Sequence, residues 1–154
     1  SVRKGAATAG VDSTVRRTIL VVEDNPNLLA VLGILLDYEQ YCCVLTADGQ
    51  EALAWLAHRR PALVILDWLL PGVDGGTVLE ATRARYGTTV PILVLSAVAD
   101  ASEVRQAGAD AYLRKPYAIP DLVHIIHRLL ATVAPRQLCE QAPDRDRLDH
   151  DLEG

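Results

Sequence analysis

Three carboxylates, a hydroxyl and an ammonium stand just beyond short apolar runs of this 154-residue chain: Glu23 and Asp24, Asp67, Ser96 and Lys115. Carboxylates brought together repel one another, so their shared charge must be neutralised by a cation or by protonation. Mg²⁺ suits such a set, because it takes one or two carboxylates, keeps several waters and leaves room for phosphate oxygens. A carboxylate held this way is also a nucleophile able to form an aspartyl phosphate. Asp67 is the expected nucleophile, and Asp24 and Asp67 the expected metal ligands, with Glu23 acting through a water on the metal. Phosphoryl transfer asks the protein mainly to position the group and neutralise its oxygens. Lys115, the Ser96 hydroxyl and the backbone N–H groups of Trp68 and Ala97 are the expected donors to it.

Each residue alone has a plainer reading. Asp24, before Asn25-Pro26, fits a helix N-cap with proline near the first turn. Ser96 fits a loop, Lys115 a solvated charge and Asp67 the start of a turn. What favours chemistry is their joint placement at four strand ends.

The elements that must position them follow from apolar patterning. Thr18 to Val22, Cys42 to Thr46, Leu63 to Leu66, Ile92 to Leu95 and Ala111 to Leu113 are short runs of strand length. Between and after them lie stretches with helical spacing over Pro26 to Leu36, Gln50 to His58, Thr77 to about Arg85, Glu103 to Ala107 and Ile119 to Ala134. Strands apolar on both faces, each followed by a helix, require a parallel sheet covered on two sides. The expected fold class is therefore α/β, a doubly wound, flavodoxin-like five-stranded parallel sheet in the order 2-1-3-4-5. Ligands of such sheets bind at the carboxyl ends of the strands, where the five polar residues fall.

Composition bounds the rest. One core is expected over residues 18–134, with residues 1–17 read as a flexible leader and 135–154 as a flexible charged tail. A net charge of −5 argues against direct nucleic-acid binding. The apolar runs are too short to span a membrane, and no secretory signal opens the sequence, so a cytoplasmic location is expected. Cys42, Cys43 and Cys139 fit neither a disulfide framework nor a zinc site, and are expected to be thiols. His124 and His127 share a helical face, but surface or interface packing is favoured over a shared metal in the absence of a third ligand. Trp55 and Trp68 read as core or rim packing.

ILVVEDNP at Ile19 to Pro26, LVILDWLLPGVDG at Leu63 to Gly75, Ser96-Ala97, and GADAYLRKPY at Gly108 to Tyr117 resemble, in order, the receiver domains of two-component response regulators. The resemblance covers about Thr18 to Ala134. It implies that Asp67 takes a phosphoryl group from the phosphohistidine of a sensor histidine kinase or phosphotransfer protein, or from a small donor such as acetyl phosphate. It also implies that Glu23 and Asp24 are the acidic pair, that the Leu69 backbone carbonyl completes the metal shell, and that Lys115 precedes a cis bond to Pro116. Ser96 and Tyr112 match the family's switch pair, whose movement remodels the face of the fourth helix, fifth strand and fifth helix. Such a protein is a self-modifying phosphoacceptor rather than an enzyme acting on other substrates.

The segment from Ser96 to Gly108 is shorter, by roughly three residues, than is usual for the family. Apolar Leu69 and Val98 stand where the family often has groups that influence hydrolysis, so slow autodephosphorylation is expected. No DNA-binding or enzymatic domain is expected after the fifth helix. A phosphorylation-independent docking or dimerisation module is the main alternative function. An Asp-dependent phosphatase is disfavoured by Leu69, where a second acid usually stands, and a nucleotide-binding module by the lack of a glycine-rich phosphate motif. The sequence leaves the effector partner unnamed and homodimerisation open.

Overall fold

In the computed structural model, residues 3–4, 16–97 and 100–132 are described. They form six strands and five helices: β1 Arg3–Lys4, β2 Thr18–Val22, α1 Pro26–Tyr38, β3 Cys42–Thr46, α2 Gly49–Leu56, β4 Leu63–Asp67, α3 Gly75–Tyr86, β5 Ile92–Ser96, α4 Ala101–Gln106, β6 Ala111–Arg114 and α5 Ile119–Leu130. Strands β2 to β6 are parallel, and the sheet order is β1-β3-β2-β4-β5-β6. Counted over the parallel strands alone, this is 2-1-3-4-5, the order of the expected flavodoxin-like fold class.

Alternation within each strand divides the core in two. Ile19, Val21, Leu63, Ile65, Leu93 and Leu95 meet Leu29, Leu32 and Leu36 of α1 and Leu122, Ile126 and Leu130 of α5. On the opposite face Leu20, Val22, Val64, Leu66, Ile92 and Val94 meet Ala52 and Leu56 of α2, Val78 and Leu79 of α3, and Val104 of α4. The central strands β2, β4 and β5 are buried along their whole length, which is why they read as continuous apolar runs.

Most element ends fall within two residues of expectation, α3 for one starting at Gly75 rather than Thr77, and two boundaries differ more. Arg3–Lys4, assigned to the leader, pair antiparallel with Leu45 and Val44 of β3 and extend the sheet edge. Residues 1–2 and 5–15 of that leader, and 133–154 including the tail, lie outside the described residues. Helix α5 ends at Leu130 rather than continuing to Ala134, and the Thr132 hydroxyl donates to the Leu129 carbonyl, 2.7 Å, in the turn that follows. Among the described residues no helix is long and apolar enough to cross a membrane.

Candidate functional site

Asp67 is the last residue of β4, paired in register with Leu95 of β5, and is buried. Its neighbours are set by the chain leaving the sheet. The Trp68 N–H donates to the Leu95 carbonyl at 3.1 Å, continuing the ladder. The Leu69 N–H then turns back to Asp67 Oδ1 at 3.3 Å. This corrects one expectation: the Trp68 N–H is committed to the sheet, and the backbone donor facing the carboxylate is that of Leu69. The family resemblance implies only a carbonyl role for Leu69, because the register that occupies Trp68 is not visible in the residue order.

Glu23 follows β2 and is 2% exposed. Its N–H donates to the Thr46 carbonyl at 3.1 Å, and its Oε2 accepts the Asn25 N–H at 3.1 Å. Asn25, not Asp24, caps α1, accepting from the Asn27 and Leu28 N–H groups at 2.9 and 3.1 Å. The Asp24 carboxylate is thereby left at the exposed rim of the cleft. Oxygens of Glu23, Asp24 and Asp67 all lie within 4.8 Å of one another, the one such acidic group among the described residues that could hold a metal ion.

Lys115 enters from the end of β6. Its Nζ lies 2.9 Å from Glu23 Oε1 and 3.4 Å from Asp67 Oδ2, and its side chain is 18% exposed. The peptide bond to Pro116 is cis. Burial and the adjacent Glu23 carboxylate push the Asp67 carboxyl up to about 6, with the Lys115 charge pulling the other way. Burial opposes the Lys115 charge, but hydrogen bonding and attraction from Glu23 and Asp67 win and hold its pKa above the ordinary lysine value. Three carboxylates facing one ammonium leave the cleft two charges short of neutrality when all are ionised.

Ser96 ends β5 and is buried. Its carbonyl accepts the Lys115 N–H at 3.0 Å and the Tyr112 hydroxyl at 3.2 Å. The two residues matched to a switch pair are thus in contact, with the Tyr112 ring packed against the α2–α3–α4 side of the core. Ala97 is exposed one residue on, while Val98 lies outside the described residues. Tyr117, not singled out from sequence, is half-buried beside this cluster, and burial raises its hydroxyl pKa.

Other candidates do not join the site. His127 pairs with Glu39 at 3.4 Å rather than sharing a ligand with His124. Trp55, on α2, packs against the core. Cys43 keeps a buried thiol, as expected, which donates to the Gly33 carbonyl at 3.7 Å, whereas Cys42 is disulfide-bonded, against the expectation, and Cys139 lies outside the described residues.

The family pattern described as the response regulator receiver domain matches residues 19–127. The DNA-binding response regulator MtrA of Mycolicibacterium smegmatis is 41% identical over 113 residues, covering 71% of this chain and 49% of that protein. The response regulator MprA of Mycobacterium sp. (strain KMS) is 38% identical over 133 residues, covering 84% of this chain and 56% of that one. The chain thus spans about half the length of the curated relatives it matches. Among solved structures, the receiver domain of the sensor histidine kinase PA1611 from Pseudomonas aeruginosa PAO1, with magnesium in its active site cleft, superposes with a TM-score of 0.69 at 33% identity. The match covers 75% of this chain and 98% of that one. A CheY-like receiver domain protein from Methanospirillum hungatei JF-1 gives 0.71 at 27% identity, covering 75% and 94%.

Proposed function

Because the chain belongs to the response regulator receiver domain family, the phosphoacceptor module of two-component systems, we propose that Asp67 is its phosphoacceptor, with Mg²⁺ held beside it. The observation that carries this reading is the cleft itself: a buried strand-end carboxylate within 4.8 Å of two others and 3.4 Å from a lysine.

The donor set fits the metal. All the ligands are hard oxygens, and the Glu23 charge that adds to burial in lifting Asp67 is what a divalent cation would offset. Asp24, Asp67 and the Leu69 carbonyl would hold Mg²⁺ directly and Glu23 through a water. When bound, the ion supplies charge neutralisation for the incoming phosphoryl oxygens.

The side chains then divide the work. An Asp67 carboxylate oxygen attacks phosphorus, the P–O bond forms as the donor's P–N bond breaks, and the imidazole leaves with a proton. Lys115, already 3.4 Å from Asp67 Oδ2, neutralises a phosphoryl oxygen, while the Ser96 hydroxyl and the Ala97 and Leu69 N–H groups donate to the others. Movement of Ser96 toward the new group draws on the strand end that also holds Tyr112, which carries the change to α4, β6 and α5. The donor is a sensor histidine kinase or phosphotransfer protein, and the chain turns over no other substrate. In a longer protein resembling MtrA, the partner of this surface is a DNA-binding segment, and this acidic domain itself makes no DNA contact.

Intact-mass measurement after incubation with acetyl phosphate and Mg²⁺ tests the assignment. Wild type gains one phosphoryl group and Asp67→Asn gains none. No gain in wild type would favour a docking module instead.

A further inference from the structure

Two glycines touch the acceptor loop where no side chain fits. A Cβ on Gly75 would lie 2.7 Å from the Asp67 carbonyl oxygen and 2.8 Å from the Trp68 Cα and carbonyl oxygen, all of them backbone atoms. The Gly75 N–H also donates to that Trp68 carbonyl at 3.1 Å. From the other side, a Cβ on Gly49, at the start of α2, would run into the Val73 carbonyl oxygen and stand 2.9 Å from the Val73 Cβ. Residues 68–74 are therefore pressed between the first residues of two helices. Neither glycine has a positive φ, so backbone freedom does not account for them, and close approach does.

We propose that Gly75, supported by Gly49, is a positioning residue for the phosphoacceptor: the absence of a side chain lets the start of α3 rest directly on the Asp67–Trp68 backbone. That contact fixes where the Asp67 carboxylate and the Leu69 backbone face the cleft. Gly76 provides the contrast. It is the next residue of the same helix, and a Cβ there meets nothing closer than 3.6 Å. The inference rests on the assignment of Asp67 above, and concerns how that residue is held.

The full chain carrying Gly75→Ala, Gly76→Ala or Asp74→Ala is compared with wild type by circular dichroism, by Mg²⁺ titration of tryptophan fluorescence, and by the rate of phosphoryl gain from acetyl phosphate. Asp74→Ala removes the α3 cap, in which Asp74 Oδ1 accepts the Thr77 N–H at 2.9 Å, and so lowers stability without adding an atom against Asp67. Gly75→Ala is expected to weaken Mg²⁺ and slow phosphorylation by roughly tenfold or more, since small misplacements of reacting groups are costly. Gly76→Ala and Asp74→Ala keep the wild-type midpoint and rate. A folded Gly75→Ala with the wild-type midpoint and rate overturns the proposal. So does an equal loss in Asp74→Ala, which would make the effect one of stability alone. If Gly75→Ala does not fold, Gly49→Ala loads the same loop through Val73 and is read the same way. Wild type that binds Mg²⁺ but gains no phosphoryl group counts against the Asp67 assignment, while the Mg²⁺ midpoints still decide the positioning role.

Discussion

Burial and the Glu23 carboxylate lift the Asp67 carboxyl from 3.8 to about 6, and the direction of that shift fixes a pH dependence. An acid whose pKa is raised on folding binds its proton more tightly in the folded state. Its contribution to stability is full below about pH 4, where the unfolded chain also keeps the proton, and is lost as pH rises through about 6. Asn cannot ionise and escapes that loss. In metal-free buffer, Asp67→Asn should match wild type near pH 4 and become more stable by on the order of 1 to 3 kcal/mol above pH 6, since one pKa unit corresponds to about 1.4 kcal/mol. The value falls at the lower end because Lys115 loses an ionised partner in the variant. Thermal melts in chelator from pH 4 to 7.5 measure it, and a gap that stays constant with pH would contradict the shift. Leu69, 58% exposed at the cleft, bears on the next step. Its side chain can neither accept nor donate a proton, so it cannot orient an attacking water. Phosphorylated protein should hold its group for longer than minutes at neutral pH, and Leu69→Asn should lose it several-fold faster, both read by time-resolved intact mass.

At the scale of elements, periodicity carried most of the information. Leu29, Leu32 and Leu36 of α1 and Leu122, Ile126 and Leu130 of α5 are buried at the spacings from which those helices were read. What escaped was whatever depends on register or on a single competing side chain. Asp24 and Asn25 are both good helix caps, and only the folded geometry shows that Asn25 takes the two N–H groups while Asp24 is left for the cleft. The commitment of the Trp68 N–H follows from β4 pairing with β5, and two residues such as Arg3–Lys4 are too short to carry any period. Arg83 also carried no signal in sequence, yet it ties α3 to the loops around it. Its guanidinium donates to the Gly108 carbonyl at 2.6 and 3.1 Å, to the Val90 carbonyl at 2.7 Å and to the Gly87 carbonyl at 3.0 Å, and pairs with Asp110 at 2.6 Å. Asp110 in turn accepts the Ile92 N–H at 2.8 Å, so the network reaches the first residue of β5. Arg83→Ala should cost about 2 to 3 kcal/mol, because partly buried carbonyls lose a charged donor. Arg83→Lys should recover little of it, since a single ammonium cannot span the forked set. Denaturant melts of the two variants decide this, and a loss below 1 kcal/mol in Arg83→Ala would show that the ties are redundant.

For the molecule as a whole, the site was legible because topology does the assembling: a parallel sheet delivers every strand end to one edge, so residues up to 92 positions apart, as Glu23 and Lys115 are, meet without any local signal. The same delivery concentrates negative charge, and so would couple the fold to a cation bound there. A ligand that binds only the folded state stabilises it by RT ln(1 + [L]/Kd), about 2.7 kcal/mol at a hundred times Kd. Mg²⁺ should therefore raise the melting temperature of wild type at neutral pH, most strongly where Asp67 is fully ionised and the apo cleft is most strained. Protonation competes with the metal, so the rise should shrink as pH falls toward 5. Asp24→Asn and Asp67→Asn each remove a ligand together with part of the repulsion, so they should start more stable than wild type in chelator and gain less from Mg²⁺. NaCl at matched ionic strength separates binding from screening, because screening acts on all surface charges and would shift the three proteins alike. A Mg²⁺ shift of the same size in wild type and both variants would show that the three carboxylates gathered at the sheet edge do not form the metal site.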